Sequence, residues 1–253
     1  MGMLSDLQII ERLVTTDPDQ AIVISPMIAA EEQIGPSSVD VHLGTSFQVD
    51  ERSNRLHFDP LMSVEEYHEW LKHSRVTHRY SISDPFVLHR GEFTLASTLE
   101  FISLPRSIVG HIDGRSSWAR HGLQVHSTAG NIHPGSRGWV VFELGNTGPV
   151  PILLYPGLAI AQLTFDELQV PVDEDYSSNS TSKYKGFNQP LWSAYPSDTT
   201  LRAMRRARNE QRGAEGSARY PGKAEKTTLV DPSLLGNSYG SADSQLRPSY
   251  NGE

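Results

Sequence analysis

Between residues 85 and 168 the apolar positions come in short runs, each stopped by glycine or proline. PFVLHRGEFTLASTLEFISLP holds two strand-like segments around a turn at Gly91. VVFELGN, PILLYPG and LAIAQLTFDEL follow, broken at Gly145, Gly148 and Pro156–Gly157. Short strands with this punctuation predict a compact all-β domain, barrel-like or jelly-roll-like. RGEFTLASTLEF weakly echoes PGLAIAQLTFDE, which reads as two similar turn–strand units rather than a repeat array.

The pattern differs upstream. LSDLQIIERLV (4–14) predicts a short helix, with Ser5 and Gln8 at capping-box spacing and Leu7, Ile10, Leu13 and Val14 on one face. AIVIS (21–25) is a buried-strand candidate. In SSVDVHLGTSFQV the residues Val39, Val41 and Leu43 alternate with Asp40 and His42, a half-buried strand expected to turn at Gly44. Asp40 is expected to bond loop backbone, as polar residues at strand ends do. Residues 51–80 read as a helical insertion on the surface. Ser63 and Glu66 cap VEEYHEWLKH, whose Trp70 and Leu71 pack on the core.

Past about Trp192 periodicity fades. SDTTLRAMRRARNEQRG predicts one or two basic helical turns, with Arg202, Arg205, Arg206, Arg208 and Arg212 on a solvated face. The expected division is a folded domain over 1–192 and a polar, partly basic, flexible tail over 193–253.

Charge and composition narrow the function. The 253 residues carry a net charge of −8. Residues 191–253 hold 9 Lys and Arg against 7 Asp and Glu, which leaves 13 against 23 for residues 1–190. The main domain therefore lacks the cationic footprint of a general nucleic-acid binder, and no nucleic-acid partner is expected. The absence of cysteine excludes disulfides and thiolate zinc sites. No apolar run approaches the ~20 residues of a membrane span, and no signal-peptide pattern opens the chain. The expectation is a cytoplasmic protein without a membrane partner.

The chemistry gathers in GRSSWARHGLQVHSTAGNIHPGSRGWVVFE (114–143). Arg115 and Arg120 offer donor forks that match phosphate oxygens, and Ser116 and Ser117 add hydroxyls without bulk. Arginines and serines at a helix start also serve plain capping and salt bridging. Glu143 lies among Val140, Val141, Phe142 and Leu144. Burial there would raise its pKa and suit it to proton transfer, although strand alternation also permits an outward-facing Glu143. His121, His126 and His133 match no compact zinc spacing, so no protein-bound metal is expected.

GRSSWARHGLQVHSTAGNIHPGSRGWVVFELGN resembles the core signature of dCTP deaminases and of the bifunctional enzymes that take dCTP to dUMP, within the dUTPase-like superfamily. The resemblance extends through VDVHLG, LHRGEFTLASTLEFISLP, YPGLAIAQLTF and SKYKG, roughly residues 1–190. It implies an all-β, dUTPase-like fold and a homotrimer with sites at subunit interfaces. Arg115, Ser116, Ser117, Trp118, Ala119 and Arg120 would hold the triphosphate and frame the base. Val141 and Phe142 would line the base pocket through backbone groups. Gln162, Tyr176 and Lys183 match further nucleotide-contacting positions. Magnesium would ride on the triphosphate. With no thiolate zinc available, Glu143 would take a proton from water, hydroxide would attack cytosine C4, and the proton would return as ammonia leaves. Ser116 and Arg120 would orient the water or stabilise the intermediate.

Several positions depart from the family pattern. His133 stands where an Asp is usual in I-D-P-G, Phe187 where many relatives have Gln, and Trp118 where a smaller aliphatic residue is common. TAG (128–130) is nearer the bifunctional branch. Three readings follow: a dCTP deaminase making dUTP, a bifunctional or dUTPase-like phosphohydrolase disfavoured by His133, and a nucleotide-binding regulatory homologue.

Overall fold

The computed structural model describes residues 2–50, 57–179, 182, 184, 190, 193, 194 and 198–214, with side chains as far as 211. Lys183 and Phe187 lie outside the described residues, as does most of the expected tail. The chain divides into two compact units, residues 1–56 with 68–193 and residues 57–67 with 194–253.

The first unit is built on long antiparallel strands: β2 (Val39–Asp50), β5 (Phe93–Ser103), β6 (Ile108–Gly114), β9 (Arg137–Asn146) and β11 (Ala159–Glu167). With β7 (Leu123–Gln124) and β8 (Asn131–Ile132) they run in the order β7-β9-β5-β2-β11-β6-β8. β1 (Val23–Ser25) adds to β5, and β3 (Arg75–Arg79) to the far half of β2. β4 (Phe86–Leu88) and β10 (Ile152–Leu154) form a separate two-stranded ladder. The main sheet curls. Val125 comes against Gly114, and the Ile112 N–H donates to Gly130 O at 2.9 Å. Inside lies one apolar core, with Val39, Val41, Leu43, Phe47, Phe142, Leu144 and Phe165 all inaccessible. The all-β expectation holds, with few helices around it, among them the short α2 (Ala30–Gln33).

Several expectations need correction. The helix α1 (Asp6–Val14) forms as predicted, and its capping box is present, with the Ser5 N–H donating to Gln8 Oε1 at 3.0 Å. Yet Ile9 is its buried residue, while Leu7 and Val14 are exposed. The helix docks through Ile9 and Leu13, so of the predicted stripe Leu13 packs on the core while Leu7, Ile10 and Val14 face outward. The insertion is not only a surface excursion, because β3 pairs residue by residue with β2 from Ser46↔Arg79 to Asp50↔Arg75. And β2 does not turn at Gly44. It runs on to Asp50 while its pairing with β5 shifts between Leu43 and Phe47. Gly44 is needed there for close approach: a Cβ would stand 2.8 Å from Ser97 O and 2.9 Å from Thr98 O.

At the start of α3 (Val64–Ser74), Ser63 and Glu66 exchange the two capping-box bonds, at 2.9 and 3.1 Å, as the spacing predicts. The basic segment makes more than one or two turns. It is α5 (Thr199–Ala214), 16 residues long, with Asp198 Oδ1 accepting the Leu201 N–H at its start. Its arginine face is partly engaged rather than wholly solvated. Arg205 is buried and donates to Pro60 O at 3.2 Å, and Arg208 pairs with Asp59 at 3.0 Å.

Gly44→Ala should destabilise the domain by about 1–3 kcal/mol, the usual cost of forcing an extra carbon into filled space. Chemical denaturation measures it, and wild-type stability in that variant would mean the β2–β5 approach is not tight.

Candidate active site

The register of β9 decides which of its side chains meet solvent. Phe142, Leu144 and Asn146 turn inward, so Val141 and Glu143 take the outer face. That face forms a wall of a cleft of about 910 Å³, lined also by Ala129, Asn131, His133 and Tyr176. Val141, Glu143, His133 and Tyr176 are thus brought together. Phe142 lines the other side of the strand, fully buried in the core.

Glu143 is half-buried rather than enclosed by its apolar neighbours. Its backbone N–H donates to Val125 O at 2.9 Å, which ties β9 to the segment after β7. The same segment holds its carboxylate, because Oε2 accepts the Ser127 N–H at 2.8 Å and the Thr128 N–H at 3.4 Å. The other oxygen, Oε1, takes no hydrogen bond within the described residues. Two backbone donors on one oxygen fix the rotamer and leave the second oxygen available to a ligand.

The His133 ring stacks on Tyr176 at 5.4 Å between centroids, with planes 13° apart. Tyr176 is delivered by a tight junction between two loops. Its N–H donates to Pro134 O at 2.9 Å, and the Ser177 hydroxyl donates to Gly135 O at 2.5 Å. Gly135 has φ +74°, and a Cβ there would sit 2.3 Å from Asp175 Cβ, so only glycine fits. Arg106 clamps the start of the segment through Val172 O at 2.9 Å.

The Arg115–Arg120 segment does not line this cleft. Arg115 precedes the short helix α4 (Ser116–Ala119) and is held by its own chain, 3.2 Å from Asp40 Oδ2 and donating to Ala159 O at 3.2 Å. Trp118 Nε1–H donates to the same carbonyl at 2.9 Å. Asp40 thus pairs with Arg115 instead of bonding loop backbone with its carboxylate. Burial pushes its carboxyl above the ordinary range, and Arg115, then His42, pull it partly back. Gln162 lies between Asp40 and Asp113 in the β2–β11–β6 ladder. Ser116, Ser117, Ala119 and Arg120 face solvent, and within the described residues no ion pair engages Arg120.

His121, His126 and His133 are not gathered. Among the described residues no group of three or more His, Asp or Glu side chains is placed to hold a metal ion. Sequence reasoning missed Arg75 and Arg137 on the cleft wall. It also missed the Ser127–Thr128 donors, since backbone N–H groups leave no side-chain signal.

The profile of the family described as dCTP deaminase-like matches residues 3–168. The chain belongs to this family. It is 37% identical over 196 residues to the dCTP deaminase of Natronomonas pharaonis, covering 78% of this chain and 96% of that protein. It is 39% identical over 188 residues to the dUMP-forming dCTP deaminase of Halobacterium salinarum, covering 74% and 92%. The crystal structure of 2′-deoxycytidine 5′-triphosphate deaminase from Agrobacterium tumefaciens is similar at 22% identity and a TM-score of 0.45, over 65% of this chain and 48% of that one. The family match spans α1 to β11 and takes in the Glu143 wall, while Tyr176 lies beyond it. No helix among the described residues is long and apolar enough to cross a membrane.

The Tyr176 turn carries a pH dependence. The Ser178 N–H first, then its hydroxyl, hold the Asp175 carboxyl below its ordinary 3.8. A lowered carboxyl pKa adds stability above the ordinary value and loses it as pH falls through the lower one. The amide resonances of Ser177 and Ser178 should therefore stay fixed from neutrality down to the ordinary carboxylate range and move only below it. Asp175→Ala should abolish that step, and a step persisting in the variant would assign it elsewhere.

Proposed function

We propose that the protein converts dCTP to dUTP and ammonia, using Glu143 as the group that moves protons and a homotrimer to complete each site. One observation supports this most directly. Glu143 sits on the cleft wall with one carboxylate oxygen pinned by Ser127 and Thr128 and the other without a hydrogen bond among the described residues.

The chemistry follows from that geometry. Glu143 takes a proton from a water above cytosine C4, and the resulting hydroxide bonds to C4 as the C4–N3 π electrons move to N3. Of the two water protons, one ends on N3 of uracil and the other on the amine that departs as ammonia. Both transfers lie within reach of a single carboxylate that alternates between base and acid. His133 and Tyr176 form one side of the sugar end of the cleft. Magnesium arrives on the triphosphate, and no residue of the chain is assigned to it.

The phosphate grip comes from Ser116, Ser117 and Arg120, with Arg115 bracing the segment against Asp40. Ser116, Ser117 and Arg120 are exposed and do not line the Glu143 cleft of their own chain, which favours their use in the cleft of a neighbouring copy. Trp118 supports the same segment through its indole N–H on Ala159 O, and Ala119 and Gln162 complete the nucleotide-contacting set. A cytoplasmic location accords with this role.

A second reading has its own support. TAG at 128–130 forms part of the loop that holds Glu143, and several relatives carry the dUMP-forming name. One assay separates the readings: incubate the protein with dCTP and magnesium, and follow ammonia, pyrophosphate and nucleotides. Ammonia with dUTP is the expected result. Pyrophosphate with dUMP would establish the bifunctional reading, and tight dCTP binding without product a regulatory one. Glu143→Gln should lower deamination by at least ~100-fold while dCTP binding persists. Near-normal turnover in that variant would remove Glu143 from the mechanism. Sedimentation should give three copies, and a monomer with full activity would overturn the shared site.

A further inference from the structure

Glu100 is inaccessible to solvent, an expensive place for a carboxylate unless donors surround it. Proton transfer in the cleft does not use it. Its partner is His42 on β2. The His42 backbone N–H donates to Oε2 at 3.0 Å, and the ring Nδ1 stands 2.5 Å from Oε1.

This pair sits where β5 breaks step with both neighbours. Against β9, Ser97 faces Val141 and Phe101 faces Trp139, so residues 98–100 together oppose Val140 alone. Against β2, the register also shifts, between Leu43 and Phe47. An interruption of this kind leaves backbone groups that need other partners. The Val140 N–H donates to the Thr98 hydroxyl oxygen at 3.0 Å, and that hydroxyl donates to Glu100 O at 2.7 Å. Thr98 is itself buried. The His42 contacts anchor the Glu100 side chain, and the backbone carbonyl of the same residue is tied through the Thr98 hydroxyl to Val140. Val140 and Val141 line the cleft, and Glu143 follows on the same strand.

We propose that Glu100 and His42 are positioning residues for the reaction: they hold the β5 interruption whose Thr98 hydroxyl fixes Val140, and so set the path of the wall that carries Val141 and Glu143. This rests on the deaminase reading for its kinetic consequence but not for its structural one. A regular β5 would place a backbone carbonyl opposite Val140 and shift the wall along the sheet. Glu100 keeps the interruption in place by satisfying the His42 donors at its far end.

Two readouts test the proposal together. In Glu100→Leu, amide hydrogen exchange at Val140 should speed up at least ~10-fold while core amides such as Phe165 stay protected. Its kcat for dCTP should fall about 10- to 100-fold, the scale set by a small misplacement of a catalytic group, with KM within about threefold. Glu100→Gln still accepts the His42 N–H and can donate to the ring, so it should recover most of both. Thr98→Val removes only the linking hydroxyl and should shift exchange and kcat in the same direction, even if the leucine variant does not fold. Unchanged exchange at Val140 in Thr98→Val overturns the proposal. So does wild-type kcat in Glu100→Leu, or a glutamine variant no better than leucine. If the wild-type protein leaves dCTP intact, the deaminase reading fails, and exchange at Val140 then decides the positioning role.

Discussion

The register of β9 is the constraint on which the site depends. Because strand side chains alternate, a slip of one residue would put Glu143 into the core and Phe142 into the cleft. The core prevents this by burying Phe142 and Leu144 without remainder. Both edges of β9 are also occupied: Leu95↔Glu143 pairs it with β5, and Leu123↔Asn146 with β7. Asn146 adds a polar stop, its amide donating to Leu88 O and Val150 O at 2.9 Å each. The apolar half of the strand thus orients its one carboxylate. The burial that anchors Phe142 and the placing of Glu143 on the cleft wall follow from the same alternation.

The polar machinery is divided in a matching way. One set, around Glu143, faces a cleft. The other, around Arg115, is braced on the chain itself through Asp40 and Ala159. An arginine held on two sides by its own chain is a poor first contact for an incoming phosphate, but a good support for the serines and Arg120 that follow. The bracing also explains why Trp118 is tolerated: its indole N–H finds the carbonyl that Arg115 already uses, and its ring packs on the core.

Much of this was legible in the sequence, for reasons that can be named. Both capping boxes were readable because side-chain capping is a contact three residues apart. The strands β4, β5, β9, β10 and β11 announce themselves by apolar runs between glycines and prolines. β6 does not, because Gly110 interrupts its alternation at a position pressed against Leu104 and Ile132. Gly44 misled in the opposite sense, since a glycine that permits close approach looks in sequence like one that permits a turn. The stripe on α1 misled because periodicity identifies a face without saying that it docks. In the site, Glu143 could be singled out by its apolar flanks. Its Ser127 and Thr128 donors could not, and neither could the Asp40–Arg115 pair, which joins residues far apart in the chain. The same holds for Glu100 and His42, whose meaning appears only where two ladders lose register together.

In sequence His133 looks like a lost carboxylate. Its ring lies nearly parallel to Tyr176. A carboxylate there would face the electron-rich surface of that ring, an unfavourable contact, whereas an imidazole stacks on it. The Tyr176 segment is otherwise fastened through Pro134 and Gly135, the two residues that follow His133. The imidazole and the tyrosine are therefore fitted to each other within one junction. Read physically, His133 is part of what holds the cleft's outer wall, and the departure from the family pattern is matched by packing rather than left as a gap.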